Sequence, residues 1–383
     1  VKNLIAAAIL AFACGSLGTA QENGRGNPGG GQRFIVVLHD GVDVDTVIAE
    51  HGASADHVYK SALNGFAGAL GVAAASALAE DPRVKSIEPD GEIKAIGQIT
   101  PWGVTRVNAP SSSTHAGDGS GAFVNVGIAI IDTGVGPHPD LNIGGGVTFV
   151  SGKPTYSDLN GHGTHVAGTA AAIDNGTGVV GVAPGAKLWS VRVLGANGSG
   201  TTSGVIGGID WVSTNASLKG IKVANMSLGG GVSSALDAAV SRSIAAGVTY
   251  CIAAGNSGVD VKDSSPARVA EAITVAASGT SDVNNPDNNY FASWSNWSAN
   301  PDAVDLIAPG VNILSTWNNG GTNTISGTSM ATPHCTGGAA LFIASQSTPP
   351  TPAAVRDALV GAATKFVTGP DGRPYPLLNV SGF

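Results

Sequence analysis

Charged side chains are few in this chain: Asp, Glu, Lys and Arg make up 12% of its 383 residues, and its 19 Lys and Arg leave a formal net charge of −8. A phosphate-binding surface needs clustered Lys and Arg, so nucleic acid is excluded as a partner, and an anionic membrane surface with it. Cysteine is scarcer still, with Cys14, Cys251 and Cys335 the whole complement. Three thiols exclude a disulfide-built scaffold, so stability must come mainly from a packed core. Cys251 and Cys335 both lie in apolar surroundings. That leaves two alternatives open, buried free thiols or a single disulfide between them.

Long apolar runs are missing too. None reaches the ~20 residues that a membrane-crossing helix needs. The run from Leu4 to Ala13 follows Lys2 and precedes the small residues Gly18 and Ala20, the layout of an export signal over residues 1–20. The expectation is a secreted, extracellular, monomeric protein without a membrane span, with a lipid anchor on Cys14 as the alternative. No internal repeat is visible. The Gly-rich stretch from Gly117 to Ala122 runs into a strand rather than a helix, so it fails as a dinucleotide loop. His162 and His165 stand three apart with no acid between them and no Cys/His cluster nearby, which argues against a zinc hydrolase.

Glycine, by contrast, is abundant at 56 residues, which points to many tight turns and close backbone approaches. Residues 21–32 form a polar, Gly-rich linker without periodicity. From Arg33 the texture changes. "RFIVVLHD" reads as a strand, "VDTVIAEHG" as a helix, and "HVYKSALNGFAGAL" as two strands about Asn64-Gly65; "VAAASALAEDP" follows as a helix stopped at Pro82, then "VKSIEPD" as a last strand. The order β-α-β-β-α-β is that of a small ferredoxin-like α+β domain.

Beyond Asp90 the composition shifts again. "NVGIAIID", "KLWSVRVL", "KVANMSL", "VTYCIAAG", "AITVAAS" and "VDLIAPG" are apolar without alternation, and amphipathic runs such as "GVIGGIDWVSTNA" and "SSALDAAVSRSIAAG" lie between several of them. Such strands are buried on both faces, so the expected class is α/β, a parallel sheet with helices on both faces. Chemistry in such sheets gathers beyond the carboxyl ends of the strands.

Three polar residues stand where that rule puts them. Asp132 ends an apolar strand in "IAIIDTGVGPHPDL", and an acid buried there needs a hydrogen-bond partner. His162 opens a helical run in "LNGHGTHVAGTAAA", with His165 one turn on. Ser329 sits at a helix start in "ISGTSMATPH", where a serine is ordinarily a cap. An imidazole held by a carboxylate on one nitrogen and facing a hydroxyl with the other makes a nucleophilic relay. An aspartic protease would need two facing aspartates, and "DTG" occurs once. A catalytically inert protein on the same fold is a further alternative, although none of these residues is replaced.

In that order, "IIDTGV", "NGHGTHVAGT" and "SGTSMATPH" resemble the three active-site blocks of the subtilisin-like serine proteases. The resemblance extends over nearly the whole chain after the signal. It implies that residues 33–95 are an inhibitor-type propeptide and that residues 96–383 form the catalytic domain. It assigns Asp132 to orienting the imidazole, His162 to general base and acid, Ser329 to nucleophile, and Asn256 to an oxyanion donor beside the Ser329 N–H. His165 and His334 would be structural neighbours. Ser227, Leu228 and Gly229 would pair with an extended peptide, and Ala253, Ala254 and Gly255 would line the far side of the first specificity pocket. Ser257 stands where some relatives carry a charge, and Ser265-Pro266 would be a cis bond near the same pocket. Small uncharged walls imply broad specificity for bulky hydrophobic residues before the cut. The resemblance also implies a structural calcium ion held by Asp140, Asn175 and the carbonyls of Ile173, Thr177 and Val179. The implied partners are polypeptide substrates and the chain's own propeptide, with self-processing between Lys94 and Gln98.

Overall fold

The computed structural model describes residues 32–91, 97–152, 154–285, 287–300 and 303–383. The expected signal, Cys14, nearly all of the Gly-rich linker and most of the expected processing stretch lie outside the described residues. The chain divides into two compact units, with the boundary between positions 95 and 96.

The first unit contains strands β1 (Gln32–Leu38), β2 (His57–Tyr59), β3 (Gly65–Leu70) and β4 (Val84–Pro89), with helices α1 (Val44–Glu50) and α2 (Val72–Glu80). The sheet order is β2-β3-β1-β4, and β1 is antiparallel to both of its neighbours. Alternate residues of β1, Phe34, Val36 and Leu38, meet Val44 and Val47 of α1 and Ala75 and Leu78 of α2 in one core. Asp43 caps α1 by accepting from the Thr46 N–H. This is the ferredoxin-like arrangement anticipated from the order of the elements.

The second unit runs through α3 (Trp102–Arg106), β5 (Gly127–Asp132), β6 (Ile143–Thr148), α4 (His162–Ala171), β7 (Lys187–Arg192), α5 (Thr202–Lys219), β8 (Ile221–Met226), β9 (Gly230–Gly231) and α6 (Ser234–Ala245). It continues with β10 (Thr249–Ala253), β11 (Ser264–Ser265), β12 (Ile273–Thr280), β13 (Asn289–Phe291), β14 (Leu306–Pro309), β15 (Ile313–Thr316), β16 (Thr322–Ile325), α7 (Thr328–Ser345) and α8 (Pro352–Gly361). The main sheet has the order β13-β12-β10-β8-β5-β7-β6, with β14 also paired to β12. Its pairings are parallel except for the edge pair β12–β13.

The side chains of β5 show why the strands lack alternation. Ile128 and Ile130 join a core with Val166 and Ala170 of α4 and Met330 and Ala339 of α7. Ala129 and Ile131 point the other way, into a core with Val205 and Ile209 of α5 and Leu236 and Val240 of α6. Both faces are covered, and the α/β class follows. Cys251 on β10 and Cys335 on α7 are buried free thiols with their sulfurs 3.3 Å apart. Burial pushes the Cys335 thiol well above its ordinary pKa. Among the described residues, no helix is long and apolar enough to cross a membrane.

Helix ends are fixed by side chains where the sequence offers them. At α8, Thr351 Oγ1 accepts from the Ala354 N–H at 3.2 Å and Pro352 occupies the first turn. Thr351→Ala is expected to cost about 1 kcal/mol, read as a Tm about 2–4 °C lower for a domain of this size. An unchanged Tm would show that this cap contributes nothing.

Candidate active site

The carboxyl ends of three neighbouring strands and the first turns of two helices meet at one edge of the second unit. Strand β5 delivers Asp132, which has no exposed surface. Its Oδ1 accepts from the Thr133 N–H at 2.7 Å and from His162 Nδ1 at 2.7 Å. Helix α4 can come this close to β5 because residue 163 is glycine: a Cβ there would sit 2.1 Å from the Gly134 carbonyl oxygen.

His162 is the first residue of α4, and the start of that helix is held by Asp158. One carboxylate oxygen of Asp158 accepts from the N–H groups of Asn160 and Gly161 and from Thr133 Oγ1 at 2.8–2.9 Å. The other accepts from the Thr164 N–H at 2.9 Å and its hydroxyl at 2.7 Å. Thr133 Oγ1 in turn accepts from the Gly163 N–H at 2.9 Å, which closes the link between β5 and α4. Sequence reasoning missed Asp158 and Thr133. An acid just ahead of a helix start was the signal that could have found Asp158.

Electrostatics at His162 pull in two directions. Burial is the largest single influence and favours the neutral ring. The charge and hydrogen bond of Asp132, with a smaller pull from Asp158, outweigh it and raise the pKa above the ordinary imidazole value. His165 and His334 are the opposite case. Each is buried with one ring nitrogen bonded to a carbonyl, Ile313 O for His165 and Met330 O for His334. Burial lowers both to about 4, so both are neutral packing residues.

Helix α7 carries Ser329 as its second residue, so the hydroxyl is not the cap that its sequence position suggests. The cap residue is Gly327, and the Thr328 N–H is taken by Asn256 Oδ1 at 2.9 Å. The Thr328 hydroxyl donates to the same oxygen at 2.8 Å. A backbone N–H can only donate, so this bond fixes which end of the Asn256 amide is oxygen and leaves Nδ2 directed elsewhere. The Ser329 N–H belongs to the first turn, which has no intrahelical acceptors.

Further along α7, Pro333 has no N–H to give the carbonyl of Ser329. Ser227 Oγ replaces that donor and bonds Ser329 O at 2.8 Å. The Ser329 hydroxyl donates to Ser227 O at 3.3 Å, and no hydrogen bond joins it to His162 in this structure. The segment Ser227–Gly231 is the wall between two adjoining cavities. One of about 410 Å³ is bordered by His162, Thr133 and Leu194. The other, of about 480 Å³, is bordered by Ser329, Asn256, Ala253, Ala254, Gly255 and Asn296. Ser227, Leu228 and Gly229 thus face Ala253, Ala254 and Gly255 across one cavity, with Ser257 on its border and Asp263 beside it. The Ser265-Pro266 bond is cis.

Away from this cleft, the residues expected to hold an ion also come together. Asp140 Oδ2 accepts from the Val179 N–H at 2.9 Å and Oδ1 from Asn175 Nδ2 at 3.0 Å. Asn175 Oδ1 accepts from the Thr177 N–H at 2.9 Å. Gln98, which sequence reasoning missed, donates from Nε2 to the carbonyls of Ile173 and Val179 at 2.6 and 3.1 Å, and its Oε1 is buried without a partner. Among the described residues, no group of three or more His, Cys, Asp or Glu side chains could hold a metal ion. The donor set is one carboxylate with amide and carbonyl oxygens, which suits a hard cation.

A parallel sheet covered on both faces thus carries Asp132, His162 and Ser329 in that chain order at its carboxyl edge. Residues 124–375 match the subtilase family and residues 33–95 match the peptidase inhibitor I9 family. Over 266 residues the chain is 46% identical to an alkaline protease of Alkalihalobacillus alcalophilus, covering 69% of this chain and 65% of that protein's length. It is 46% identical over 245 residues to Subtilisin Savinase of Lederbergia lenta, 64% of this chain and 84% of that one. A crystal structure of a cold adapted subtilisin-like serine proteinase superposes with a TM-score of 0.62 at 40% identity, over 74% of this chain and 98% of the other. The chain belongs to the subtilase family, its residues 33–95 match the peptidase inhibitor I9 family, and it spans a little under two thirds of the length of the alkaline protease it matches.

A raised His162 pKa has a testable sign. Only the neutral ring can accept a proton, so kcat/KM should rise with pH and reach half its plateau above pH 6.5, the ordinary imidazole value. Asp132→Asn removes the charge that raises the pKa and leaves the burial that lowers it, so the acid limb should move to lower pH while kcat falls about 10⁴-fold. An acid limb unmoved by this substitution would show that Asp132 does not set the titration.

Proposed function

We propose that this chain is an exported precursor of a serine endopeptidase that hydrolyses peptide bonds through an acyl-enzyme intermediate and processes itself. The reading rests above all on the 2.7 Å bond between His162 Nδ1 and the buried Asp132 carboxylate, because it fixes the tautomer whose free Nε2 can accept a proton. Asp132 orients the ring and supports its charged form. Ser329 Oγ attacks the scissile carbonyl carbon while His162 Nε2 takes the hydroxyl proton, and the carbonyl electron pair moves to its oxygen. Asn256 Nδ2 and the Ser329 N–H donate to that oxyanion. His162 then protonates the leaving amine, and water repeats the sequence on the acyl ester to free Ser329. The resting bond of Ser329 to Ser227 O is long at 3.3 Å and is exchanged for His162 in the substrate complex.

Extended polypeptides are the substrates, paired along Ser227–Gly229, and a bulky hydrophobic side chain before the cut fills the cavity between that edge and Ala253–Gly255. The small walls and volume of about 480 Å³ support this preference. Residues 33–95 act as the intramolecular inhibitor and folding aid, supported by their match to the inhibitor I9 family. Processing falls between Lys94 and Gln98. Calcium occupies the loop of Asp140, Ile173, Asn175, Thr177 and Val179, where it stabilises the fold and takes no part in the chemistry. The support is that Asp140 Oδ1 meets Asn175, that the Ile173 and Val179 carbonyls share Gln98 Nε2, and that the buried, unpartnered Gln98 Oε1 would face those carbonyls if the amide turned over.

A sulfonyl fluoride is expected to label Ser329 and abolish peptide hydrolysis, and Ser329→Ala should accumulate as uncut precursor. Label on another residue, or normal trimming of that variant, would overturn the nucleophile or the self-processing assignment respectively. Chelation should lower the Tm of the processed protein, and Asp140→Asn should show the lower Tm with and without chelator. A Tm indifferent to chelator in the unsubstituted protein would remove calcium from the reading.

A further inference from the structure

Asn256 sits on a loop after β10, between the backbone bonds Ala254 N–H to Val275 O at 3.0 Å and Gly258 N–H to Trp294 O at 2.9 Å, and a useful oxyanion donor must hold its place to within about 0.5 Å. One buried side chain bonds the loop on both sides of Asn256. Asn296, 2% exposed, reaches the segment from the far wall of the same cavity. Its Nδ2 donates to Ala254 O at 2.9 Å, ahead of Asn256. Its Oδ1 accepts from the Ser257 N–H at 2.9 Å and the Val259 N–H at 3.1 Å, behind it. Its own backbone N–H donates to Gly255 O at 2.8 Å. Residue 255 has φ +104, and a Cβ there would stand 2.5 Å from Asn296 Nδ2, so the contact requires glycine at 255.

From this geometry we propose that Asn296 is a positioning residue for the oxyanion donor: its amide clamps the loop on both sides of Asn256 and holds Nδ2 of Asn256 in place. The proposal rests on the reading of Asn256 as an oxyanion donor. The two amide ends do different work. The acceptor end closes the turn that follows Asn256, and the donor end anchors the strand end that precedes it. No other described side chain bonds both flanks of Asn256, and Thr328, which holds the Asn256 carbonyl oxygen, acts on the side chain and on the Gly255 N–H.

An oxyanion bond forms only as the carbonyl becomes tetrahedral, so a displaced Asn256 should lower kcat and leave KM nearly unchanged. The test is a double-substitution cycle on the processed protein with a peptide anilide substrate, using Asn256→Ala, Asn296→Ala and the pair. The expected result is a fall in kcat of about 10²–10³-fold for Asn256→Ala. Asn296→Ala should lower kcat at least about tenfold with KM within about threefold, and the same change on top of Asn256→Ala should cost less than about threefold. Asn296→Asp keeps the two acceptor bonds and should recover part of the loss. It also takes the place of Asn296→Ala in the cycle should that variant not fold. Equal losses in both backgrounds, or an unchanged kcat in Asn296→Ala, would overturn the positioning role alone. An unchanged kcat in Asn256→Ala would remove the oxyanion reading and this proposal with it.

Discussion

Burial of one carboxylate organises this edge of the molecule. Asp132 has no exposed surface, so its oxygens depend on donors from the protein; Oδ1 finds two, while Oδ2 is buried without a hydrogen-bond partner. Two donors meet its Oδ1 at 2.7 Å, the N–H of Thr133 from its own strand end and Nδ1 of His162 from another helix. The second bond makes the ring donate from Nδ1, so the remaining nitrogen is the one that faces the cleft. The site therefore depends on α4 arriving at a set distance and angle. Asp158 and Thr133 tie its first turn down, and the absence of a side chain at position 163 removes the steric barrier.

The other half of the site is built by a helix that breaks its own rules. A proline at position 333 costs α7 one backbone bond, and Gly327 provides no capping side chain. Each deficit is filled by a residue of the cleft: Ser227 Oγ serves the orphaned carbonyl of Ser329, and Asn256 Oδ1 serves the first N–H. The repairs double as alignment. Repairing the helix places the segments after β8 and β10 against the first turn of α7, which sets Ser227, Asn256 and Ser329 in one frame. Ser227 was expected as a substrate-pairing residue, and its side chain turns out to support the backbone beneath Ser329 as well.

Much of this was legible because the informative residues interrupt a pattern. Asp132 ends a run of buried apolar residues, and Ser329 stands where an apolar helix begins, so each is conspicuous in the chain. The doubly buried strands were readable for the same reason. Strand β6, by contrast, has the sequence Ile143-Gly-Gly-Gly-Val-Thr148, in which three glycines erase any hydrophobic period, and nothing in it announces a strand. The hairpin β15–β16 is short and half exposed, and its Thr and Asn residues read as loop. The structural roles of Gln98 and Asn296 escaped notice because their partners are backbone groups. Gln98 bonds carbonyls 75 and 81 residues away, and Asn296 binds amides 37 and 39 residues away, a distance no local pattern encodes.

The strengths of the contacts differ in a way that matches what each must do. Asp132 and Asp158 hold their partners through short bonds to charged acceptors, the strong class of hydrogen bond, and these define parts of the site that should not move. The Ser329 hydroxyl rests on a neutral carbonyl at 3.3 Å, a contact near the weak end of the range. A hydroxyl held so lightly can turn toward His162 at small cost, whereas the proposed relay needs an imidazole and an amide that stay in place. Short bonds are thus concentrated on the Asp132 and Asp158 carboxylates, and the Ser329 hydroxyl is left the most loosely held of these groups.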